Sequence, residues 1–346
     1  MTKSRVLGYK VSEKDLLPRR PRGPTYPPGH LDRRTFRLGR HRVTRQKDVF
    51  EKSMIDAYIR DGSICTPLEF QRNIVSTVFP TTSGIVKTSE GSFGVVYKIR
   101  VTRDLLTDLR RAARTGWNVL RLKMPRLGAT VACKIEYGVG TDGRGDTSKT
   151  SVKTVLESMR MLESRGTRET RKYIRRVTNE SMVHATLATF KGPRGLNGRS
   201  FPGFYMSWMD PTYGVHITIS EFIRGITVDT YKSVTHTSSK TLLRSFERAI
   251  RTMWYAGFAH FDTHLSNVMI TKNRTRIVLL DFGRAQKIPT SIHAKIVRGI
   301  DRGDHLETVW CESGLRTWMH RAARRYGFYH PNIRGIRRFV EGTIFS

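Results

Sequence analysis

The stretch from Gly257 to Gly283 reads GFAHFDTHLSNVMITKNRTRIVLLDFG and decides the fold. It places a carboxylate at Asp262, an amide five residues later at Asn267, and a second carboxylate at Asp281 after an apolar run. Two short apolar segments flank a Thr-Lys-Asn-Arg turn, a pattern that predicts a tight antiparallel hairpin. Such a hairpin would bring Asn267 and Asp281 together.

These side chains are typical of magnesium-dependent phosphoryl transfer. Mg²⁺ prefers oxygen ligands and usually takes one or two protein carboxylates beside the phosphates of a nucleotide. Phosphoryl transfer also needs a carboxylate that orients the attacking hydroxyl. We interpret Asn267 and Asp281 as magnesium ligands and Asp262 as the residue that orients the hydroxyl. Taken singly, each of these residues is more simply explained as a loop cap or a turn former.

The order H-x-D-x-x-x-x-N, beginning at His260 and followed by D-F-G at Asp281, resembles the catalytic core of the protein-kinase superfamily. An upstream motif, SEGSFGVVYK, resembles the glycine-rich loop that covers the phosphates of ATP in that family. Ser89 replaces the first glycine of the family motif, which makes the loop stiffer. The resemblance implies ATP contacts from Ser89, Glu90, Gly91, Ser92, Phe93, Gly94 and Val96.

A strand is predicted over Thr130 to Ile135, where Lys134 resembles the kinase lysine that contacts the α- and β-phosphates. A lysine in an apolar strand is also common at sheet edges. In the family, a glutamate on a helix holds this lysine. We assign that role to Glu180, because the helix predicted over Arg168 to Phe190 has one apolar face and leads into the next predicted strand. Glu157 is the rival candidate, since it is nearer to Lys134 in sequence.

The segment VHITISEFI, from Val215 to Ile223, predicts a strand followed by the hinge between two lobes. By resemblance, Ser220 lies at the back of the adenine pocket, and backbone groups of Glu221 to Ile223 contact adenine. An amphipathic helix predicted over Ser238 to Ala256 then leads to the catalytic loop.

The resemblance covers about Ser89 to Gly283 and implies an α+β fold: a bilobal protein-kinase-like fold with a β-rich N-lobe and a shortened, mainly helical C-lobe. We expect a basic, disordered tail over residues 1–48, an N-lobe with insertions over residues 49–223 and a truncated C-lobe over residues 224–346. The other predicted elements are helices at Val49–Arg60, Asp104–Gly116, Val152–Glu163 and Arg302–Arg325, a strand at Ile74–Phe79 and a flexible loop at Gly138–Thr150.

Three features depart from the protein-kinase pattern. Phe261 stands where many kinases carry the arginine that answers activation-loop phosphorylation, and His264 stands where they usually carry a lysine near the γ-phosphate. A D-x-H-x-x-N loop is similar to those of atypical kinases and small-molecule phosphotransferases. No Ala-Pro-Glu motif follows Gly283. Compact, divergent kinases with basic tails resemble those encoded by large DNA viruses.

The composition is strongly basic, with 62 Lys and Arg against 29 Asp and Glu and a formal net charge of +33. Such an excess favours polyanionic partners. Residues 1–48 carry 14 Lys and Arg against 4 acidic residues, a composition that predicts disorder. Within this tail, Arg33 to Lys47 is a candidate for nucleic-acid binding or nuclear import, and a solvated basic tail is the simpler alternative.

Cysteine usage and hydropathy narrow the class of protein. Cys65, Cys133 and Cys311 are too few and too scattered for a disulfide framework or a zinc site, which indicates a reducing compartment. No apolar run approaches the ~20 residues of a membrane-spanning helix, and we find no signal-peptide pattern. We therefore expect an intracellular protein of the cytoplasm or nucleus, without a membrane span.

The leading hypothesis is a serine/threonine protein kinase that uses ATP and Mg²⁺ and acts on a protein substrate. An alternative enzyme is a phosphotransferase for a small molecule or a nucleic-acid-associated substrate. A pseudokinase or a basic nucleic-acid-binding scaffold on the same fold is the alternative outside enzymes. The joint presence of Lys134, Asp262, Asn267 and Asp281 argues against a pseudokinase, which would not need all four.

Overall fold

The computed structural model describes most of the region that carries the motifs. The described residues are 36–38, 41–43, 74–76, 78–91, 94–137, 168–210, 215–230, 236–273 and 275–326. The predicted helices at Val49–Arg60 and Val152–Glu163 and the predicted loop at Gly138–Thr150 lie outside these residues. The same is true of most of the basic tail, so its disorder stays a prediction.

The N-terminal half is built on a six-stranded antiparallel sheet with the strand order β3-β4-β6-β8-β7-β5. A separate hairpin, β1 with β2, lies in the basic tail. The strands are β1 (Phe36–Leu38), β2 (His41–Val43), β3 (Val86–Gly91), β4 (Gly94–Arg100), β5 (Trp117–Arg121), β6 (Thr130–Glu136), β7 (Phe204–Asp210) and β8 (Val215–Glu221).

Strand β6 shows how the sheet presents its two faces. Val131, Cys133 and Ile135 alternate along the strand and are fully buried in the apolar core of the sheet. Successive side chains of a strand point to opposite faces, so Lys134 and Glu136 share the other face. The predicted lysine strand is therefore present, with the lysine on the face away from the apolar core.

The inserted segment after β4 forms the predicted helix, α1 (Arg103–Thr115), which begins after a cap in which Thr102 accepts a hydrogen bond from the Leu105 backbone. Leu105 and Leu109 are buried in the core of the sheet. Asp108 is also buried, and its Oδ2 accepts hydrogen bonds from the backbone of Thr81 and the hydroxyl of Thr82. The insertion is thus part of the N-terminal core.

The strand predicted at Ile74–Phe79 is wrong. Residues 74–76 and 78 are helical, and the Phe79 N–H donates to the Val75 carbonyl at 2.8 Å. The apolar residues Ile74, Val75, Val78 and Phe79 have helical spacing, and all four are buried beside α1. Packing on this helix outweighs the β-propensity of the branched side chains.

The C-terminal half is mainly helical, with short strands around the catalytic motifs. Its elements, together with the long helix α2 that precedes β7, are α2 (Arg168–Thr189), β9 (Gly225–Thr227), α3 (His236–Tyr255), β10 (Phe258–Ala259), β11 (Val268–Thr271), β12 (Ile277–Leu279), β13 (Gln286–Lys287), α4 (Thr290–Arg302), α5 (Leu306–Glu312) and α6 (Leu315–Tyr326). The predicted hairpin is β11 with β12, in which Val268 pairs with Leu279.

The single helix predicted over Arg302 to Arg325 is two helices, α5 and α6. Gly314 between them has φ of 78°, a left-handed conformation that glycine adopts without strain and that commonly ends a helix. The predicted burial is right for Leu306, Val309, Leu315 and Met319, whereas Trp310 and Trp318 are only partly buried. The sequence analysis did not predict α4.

The architecture is the expected mixture of an antiparallel sheet and helices, in the arrangement of a kinase-like fold. One apolar core lies between the sheet and α1, and a second joins α3 to α6 with the catalytic hairpin. No helix in the described ranges is long and apolar enough to cross a membrane.

Candidate active site

Lys134 lies where the sheet meets the helical half, and its ammonium contacts three carboxylates. Its Nζ is 2.7 Å from Glu180 Oε1, 3.1 Å from Glu136 Oε1 and 3.2 Å from Asp281 Oδ1. The contact with Glu180 is the one expected from the sequence, and Glu157 lies outside the described residues. The three contacts bring together residues from β6, α2 and the D-F-G motif.

Helix α2 carries Glu180 on its buried face. Tyr173, Val177, Val183 and Leu187 surround Glu180 at helical spacing and are buried, so the face that packs into the protein also directs this carboxylate to Lys134. The D-F-G glycine packs closely against this carboxylate, since a Cβ atom at Gly283 would lie 3.1 Å from Glu180 Oε2. The absence of a side chain at Gly283 therefore allows α2 and the D-F-G motif to meet.

Glu136 is a site residue that the sequence analysis missed. Its second oxygen lies 3.0 Å from His216 Nδ1, and His216 Nε2 lies 3.1 Å from the Ser181 hydroxyl. The Tyr173 hydroxyl donates to the Glu136 carbonyl at 2.9 Å and accepts from the His216 backbone at 3.0 Å. The sequence does contain a signal for Glu136, because the period of two along a strand places residues 134 and 136 on the same face.

The four charged side chains influence one another strongly. Burial opposes the charge of Lys134, but Asp281, Glu136 and Glu180 outweigh it, so the pKa of Lys134 lies well above its usual value. Burial likewise opposes the charge of Glu136, yet Lys134 and His216 hold the pKa of this carboxyl well below its usual range. Burial and the neighbouring Glu136 raise the pKa of Glu180, which shares the lysine. Glu136 is thus the more firmly ionised partner.

The hairpin of β11 and β12 places Asn267 beside Asp281. The Leu280 N–H donates to the Asn267 carbonyl at 2.9 Å, directly before Asp281. Asp281 has φ of 57°, a left-handed conformation uncommon for a residue with a side chain. Desolvation opposes the charge of Asp281, whose side chain is still 44% exposed, but Lys134 lowers the pKa of this carboxyl below its usual value. The two expected magnesium ligands are therefore brought to one end of the hairpin.

Phe282 of the D-F-G motif is buried among aromatic rings. The ring centroids of His184, His260 and Phe201 lie 5.2, 5.5 and 5.9 Å from that of Phe282. His184 also contacts Phe204 of β7 at 5.3 Å. The stack therefore runs from the sheet through α2 to the catalytic loop.

Both histidines of the stack are held in a neutral form. His184 Nε2 lies 2.9 Å from the Pro202 carbonyl and His260 Nε2 lies 2.9 Å from the Leu280 carbonyl. A carbonyl oxygen can only accept a hydrogen bond, so Nε2 of each histidine carries the proton and Nδ1 is unprotonated. Burial lowers the pKa of His184 to about 4 and lowers that of His260 below its usual value.

The Asp262 carboxylate, in the loop after β10, is farther from its neighbouring basic groups than the Lys134 ammonium is from its carboxylates. Its Oδ1 is 3.7 Å from Arg284 Nη1 and 3.8 Å from His264 Nε2. The side-chain amide of Asn267 donates to the Asp262 carbonyl at 2.9 Å and so fixes the loop. His264 is exposed and lies 2.5 Å from the Ser266 hydroxyl.

Phe261 is fully buried, and its ring makes an edge-to-face contact with Trp318 at 5.2 Å. Its φ of 60° is a left-handed conformation, which is rare for a bulky residue and persists only where packing enforces it. An aromatic contact with α6 therefore occupies the place where many kinases carry a charged residue.

The structure describes the nucleotide side of the site in part. Ser89 is exposed, Val96 is half-buried, and Glu90 and Gly91 end β3, whereas Ser92 and Phe93 lie outside the described residues. A side chain at Gly94 would collide with the Ile135 carbonyl, which explains the glycine there.

The segment predicted to be the hinge follows β8. The Glu221 carboxylate accepts a hydrogen bond from the Gly203 N–H at 3.0 Å. Ile223 is buried, and its own N–H has no backbone acceptor within the described part of the chain. A backbone donor is therefore available where adenine contacts were expected.

The residues present fit a nucleotide with Mg²⁺. Three carboxylates around one ammonium leave the cluster with surplus negative charge, which favours an additional cation. Asn267 uses its amide nitrogen toward Asp262, which leaves its oxygen free to coordinate. No cluster of three His, Cys, Asp or Glu side chains in the described residues could enclose a metal ion alone. Mg²⁺ usually binds through one or two carboxylates together with phosphates, so Asp281 and Asn267 fit this ion.

The fold and this constellation define the class of the protein. Residues 212–301 match the model of the ABC1 atypical kinase-like domain, a span that includes Asp262, Asn267 and Asp281. This match places residues 212–301 in the protein kinase-like superfamily. Comparison with curated proteins gives no match. The matched family carries no information on the viral origin suggested by the sequence.

Proposed function

We propose that the protein is an ATP- and Mg²⁺-dependent kinase that phosphorylates serine or threonine residues of proteins. The observation that carries this proposal is the contact of Lys134 Nζ with both Glu180 at 2.7 Å and Asp281 at 3.2 Å. These residues come from three separate parts of the chain, and this set of contacts joins them with the hairpin that carries Asn267.

Each group has a role in phosphoryl transfer. Lys134 would bind the α- and β-phosphates, with Glu180 and Glu136 fixing the direction of its ammonium. Asn267 and Asp281 would hold Mg²⁺, which neutralises the charge on the phosphates when it is bound. Asp262 would accept a hydrogen bond from the substrate hydroxyl. The hydroxyl oxygen then bonds to the γ-phosphorus as the bond to the ADP oxygen breaks, and Asp262 receives the proton.

A small-molecule phosphotransferase is the second candidate, favoured by two observations. The matched model is that of an atypical kinase-like domain. His264 is also exposed beside Asp262, so the catalytic loop offers an imidazole where a protein kinase usually offers a lysine. The alternative of a pseudokinase is less well supported, because the charged groups needed for transfer lie together.

The decisive test is transfer of radiolabelled phosphate from ATP. We would supply separate panels of acidic proteins, basic proteins and small alcohols, and use Asp262→Asn as the inactive control. Labelled phosphoserine or phosphothreonine is the expected result. Label found only in a small alcohol would support the second candidate. ATP binding that requires Lys134 without transfer to any acceptor would support a pseudokinase and contradict the proposal.

A further inference from the structure

A row of basic side chains runs along α3 on the helical half of the molecule. Lys240, Arg244, Arg248 and Arg251 follow one another at spacings of four, four and three residues, so they lie on one face of the helix. At about 1.5 Å per residue, this row extends over roughly 16 Å. The first three residues are exposed and Arg251 is half-buried.

The row borders a cavity of about 250 Å³ between α3, the end of α4 and the turn at residues 193–196. Arg194 at the tip of this turn, Arg244, Arg248 and Arg251 line the cavity together with one acidic residue, Glu247. The formal charge of these five side chains is +3. Leu196 and Ile300 supply buried apolar surface at the same cavity.

Two of the arginines are anchored, and two are available to a ligand. Arg194 Nη1 donates to the Ile300 carbonyl at 3.3 Å, and Arg251 Nη2 donates to the Asp304 carbonyl at 2.8 Å. Both therefore bind backbone at the end of α4 and keep their charge. The guanidinium groups of Arg244 and Arg248 make no hydrogen bond or ion pair with any described residue. Glu247 is the acidic residue among those that line the cavity, so positive charge is concentrated there.

We propose that these residues, Arg194, Lys240, Arg244, Arg248 and Arg251, form an α3 arginine site that binds the phosphate backbone of a nucleic acid strand. A guanidinium has planar donors that match phosphate oxygens. A single phosphate would need only the cavity, whereas a row of about 16 Å suits a ligand with repeated negative charges. The net charge of +33 adds long-range attraction for such a polyanion.

The test compares two double variants of the full chain that remove the same charge. Arg244→Gln with Arg248→Gln alters the α3 arginine site. Arg110→Gln with Arg114→Gln alters exposed residues of α1, another amphipathic helix, and leaves the cavity intact. Fluorescence anisotropy with a labelled single-stranded RNA gives Kd at several salt concentrations. The basic tail is present in both variants, so its contribution cancels.

The α3 variant should bind RNA more weakly, and its slope of log K against log salt should be shallower by about 1.4, since each phosphate contact on a single strand contributes about 0.7. Arg244→Lys with Arg248→Lys keeps the charges and should keep the slope. The α1 variant should keep the wild-type slope.

Equal losses in the α1 and α3 variants would overturn the proposal, because binding would then follow overall charge. An unchanged slope in the α3 variant would also overturn it. The same holds if a phosphoserine peptide, but not RNA, loses affinity in the α3 variant. None of these measurements uses ATP, so their outcome is independent of the proposed kinase activity.

Discussion

Lys134 and Asp262 lie in one candidate active site but have different surroundings. The Lys134 ammonium is within 3.2 Å of three carboxylates, whereas Arg284 Nη1 and His264 Nε2 lie 3.7 and 3.8 Å from Asp262 Oδ1. The group expected to bind phosphate is therefore fixed by the folded chain. The group expected to bind the substrate hydroxyl keeps hydrogen-bonding capacity for a ligand.

Because of this difference, we expect substitutions at Lys134 to affect stability and substitutions at Asp262 to affect catalysis. Removing the Lys134 ammonium would leave three neighbouring carboxylates without their shared counter-charge, which destabilises the fold. Removing the Asp262 carboxylate breaks only long contacts, so its effect should appear in catalysis. Variants of the two groups should therefore separate folding from phosphoryl transfer.

The largest expected effect is that of Asp262→Asn on phosphoryl transfer. The amide keeps the shape of the side chain but cannot accept the proton, and a positioned general base contributes about 10²- to 10⁴-fold. We expect kcat to fall by that factor while the free energy of unfolding and the affinity for ATP stay unchanged. Steady-state kinetics, denaturant unfolding and nucleotide titration measure the three quantities.

Asp104→Asn is the control, since Asp104 is an exposed carboxylate on α1. It should leave all three quantities at their wild-type values. Wild-type turnover in Asp262→Asn would remove Asp262 from the proposed role, and a large loss of stability would show that its carboxylate is structural.

The second prediction concerns His184 of α2, whose ring packs between Phe204 of β7 and Phe282 of the D-F-G motif. The pKa of His184 is lowered to about 4 in the folded state, against about 6.5 when unfolded. Between these values the unfolded chain binds a proton that the folded chain does not, so stability falls as the pH falls. The full shift corresponds to about 3 kcal/mol in the free energy of unfolding.

Unfolding by denaturant at several pH values between 7 and 4 measures this dependence. His184→Gln can still donate to the Pro202 carbonyl but does not titrate there, so its stability should fall less steeply with acid. The exposed His305 provides the control through His305→Gln, which should keep the wild-type dependence. Identical pH dependence in wild type and His184→Gln would contradict the assignment.

The sequence predicted the motif-bearing elements because their patterns are local. The apolar run around Lys134 located β6, and the helical period over Arg168 to Phe190 led to the choice of Glu180 on the apolar face of that helix. The turn between β11 and β12 identified the hairpin in the same way. Motif order then supplied the kinase-like arrangement, which the matched family supports at the level of the superfamily.

The features that the sequence did not predict depend on contacts between distant parts of the chain. Phe261 and Trp318 meet only through tertiary packing, and no local pattern links them. Glu136 resembles an ordinary strand glutamate until His216 is placed beside it. The segment at residues 74–79 has β-branched residues, and packing against α1 explains why residues 74–76 and 78 are helical.

The third prediction compares the two glutamates at Lys134. Glu136→Gln should lower the free energy of unfolding at pH 7 by about 2 kcal/mol, because it weakens charged hydrogen bonds to Lys134 and His216. Since the folded pKa of Glu136 is depressed, this stabilisation is present above the unfolded pKa and is lost in acid. Glu180→Gln should cost less, because the pKa of Glu180 is raised and its ionised form stabilises the fold less.

Denaturant unfolding of both variants at pH 7 gives the comparison. Exposed Glu312 supplies the control, since Glu312→Gln should leave stability unchanged. A greater cost for Glu180→Gln than for Glu136→Gln would show that the helix glutamate is the main support of Lys134, and that Glu136 is secondary.

The smallest expected effect is that of phosphatase treatment on activity. Phe261 is fully buried against Trp318, so this position supplies no guanidinium for a phosphorylated loop, and a phosphate there would gain no charge-assisted hydrogen bonds from it. The catalytic loop is instead held by an aromatic contact that does not depend on modification. We therefore expect the purified protein to keep its transfer rate after phosphatase treatment. Rates before treatment, after treatment and after incubation with ATP test this, and a large loss that returns with rephosphorylation would contradict the prediction.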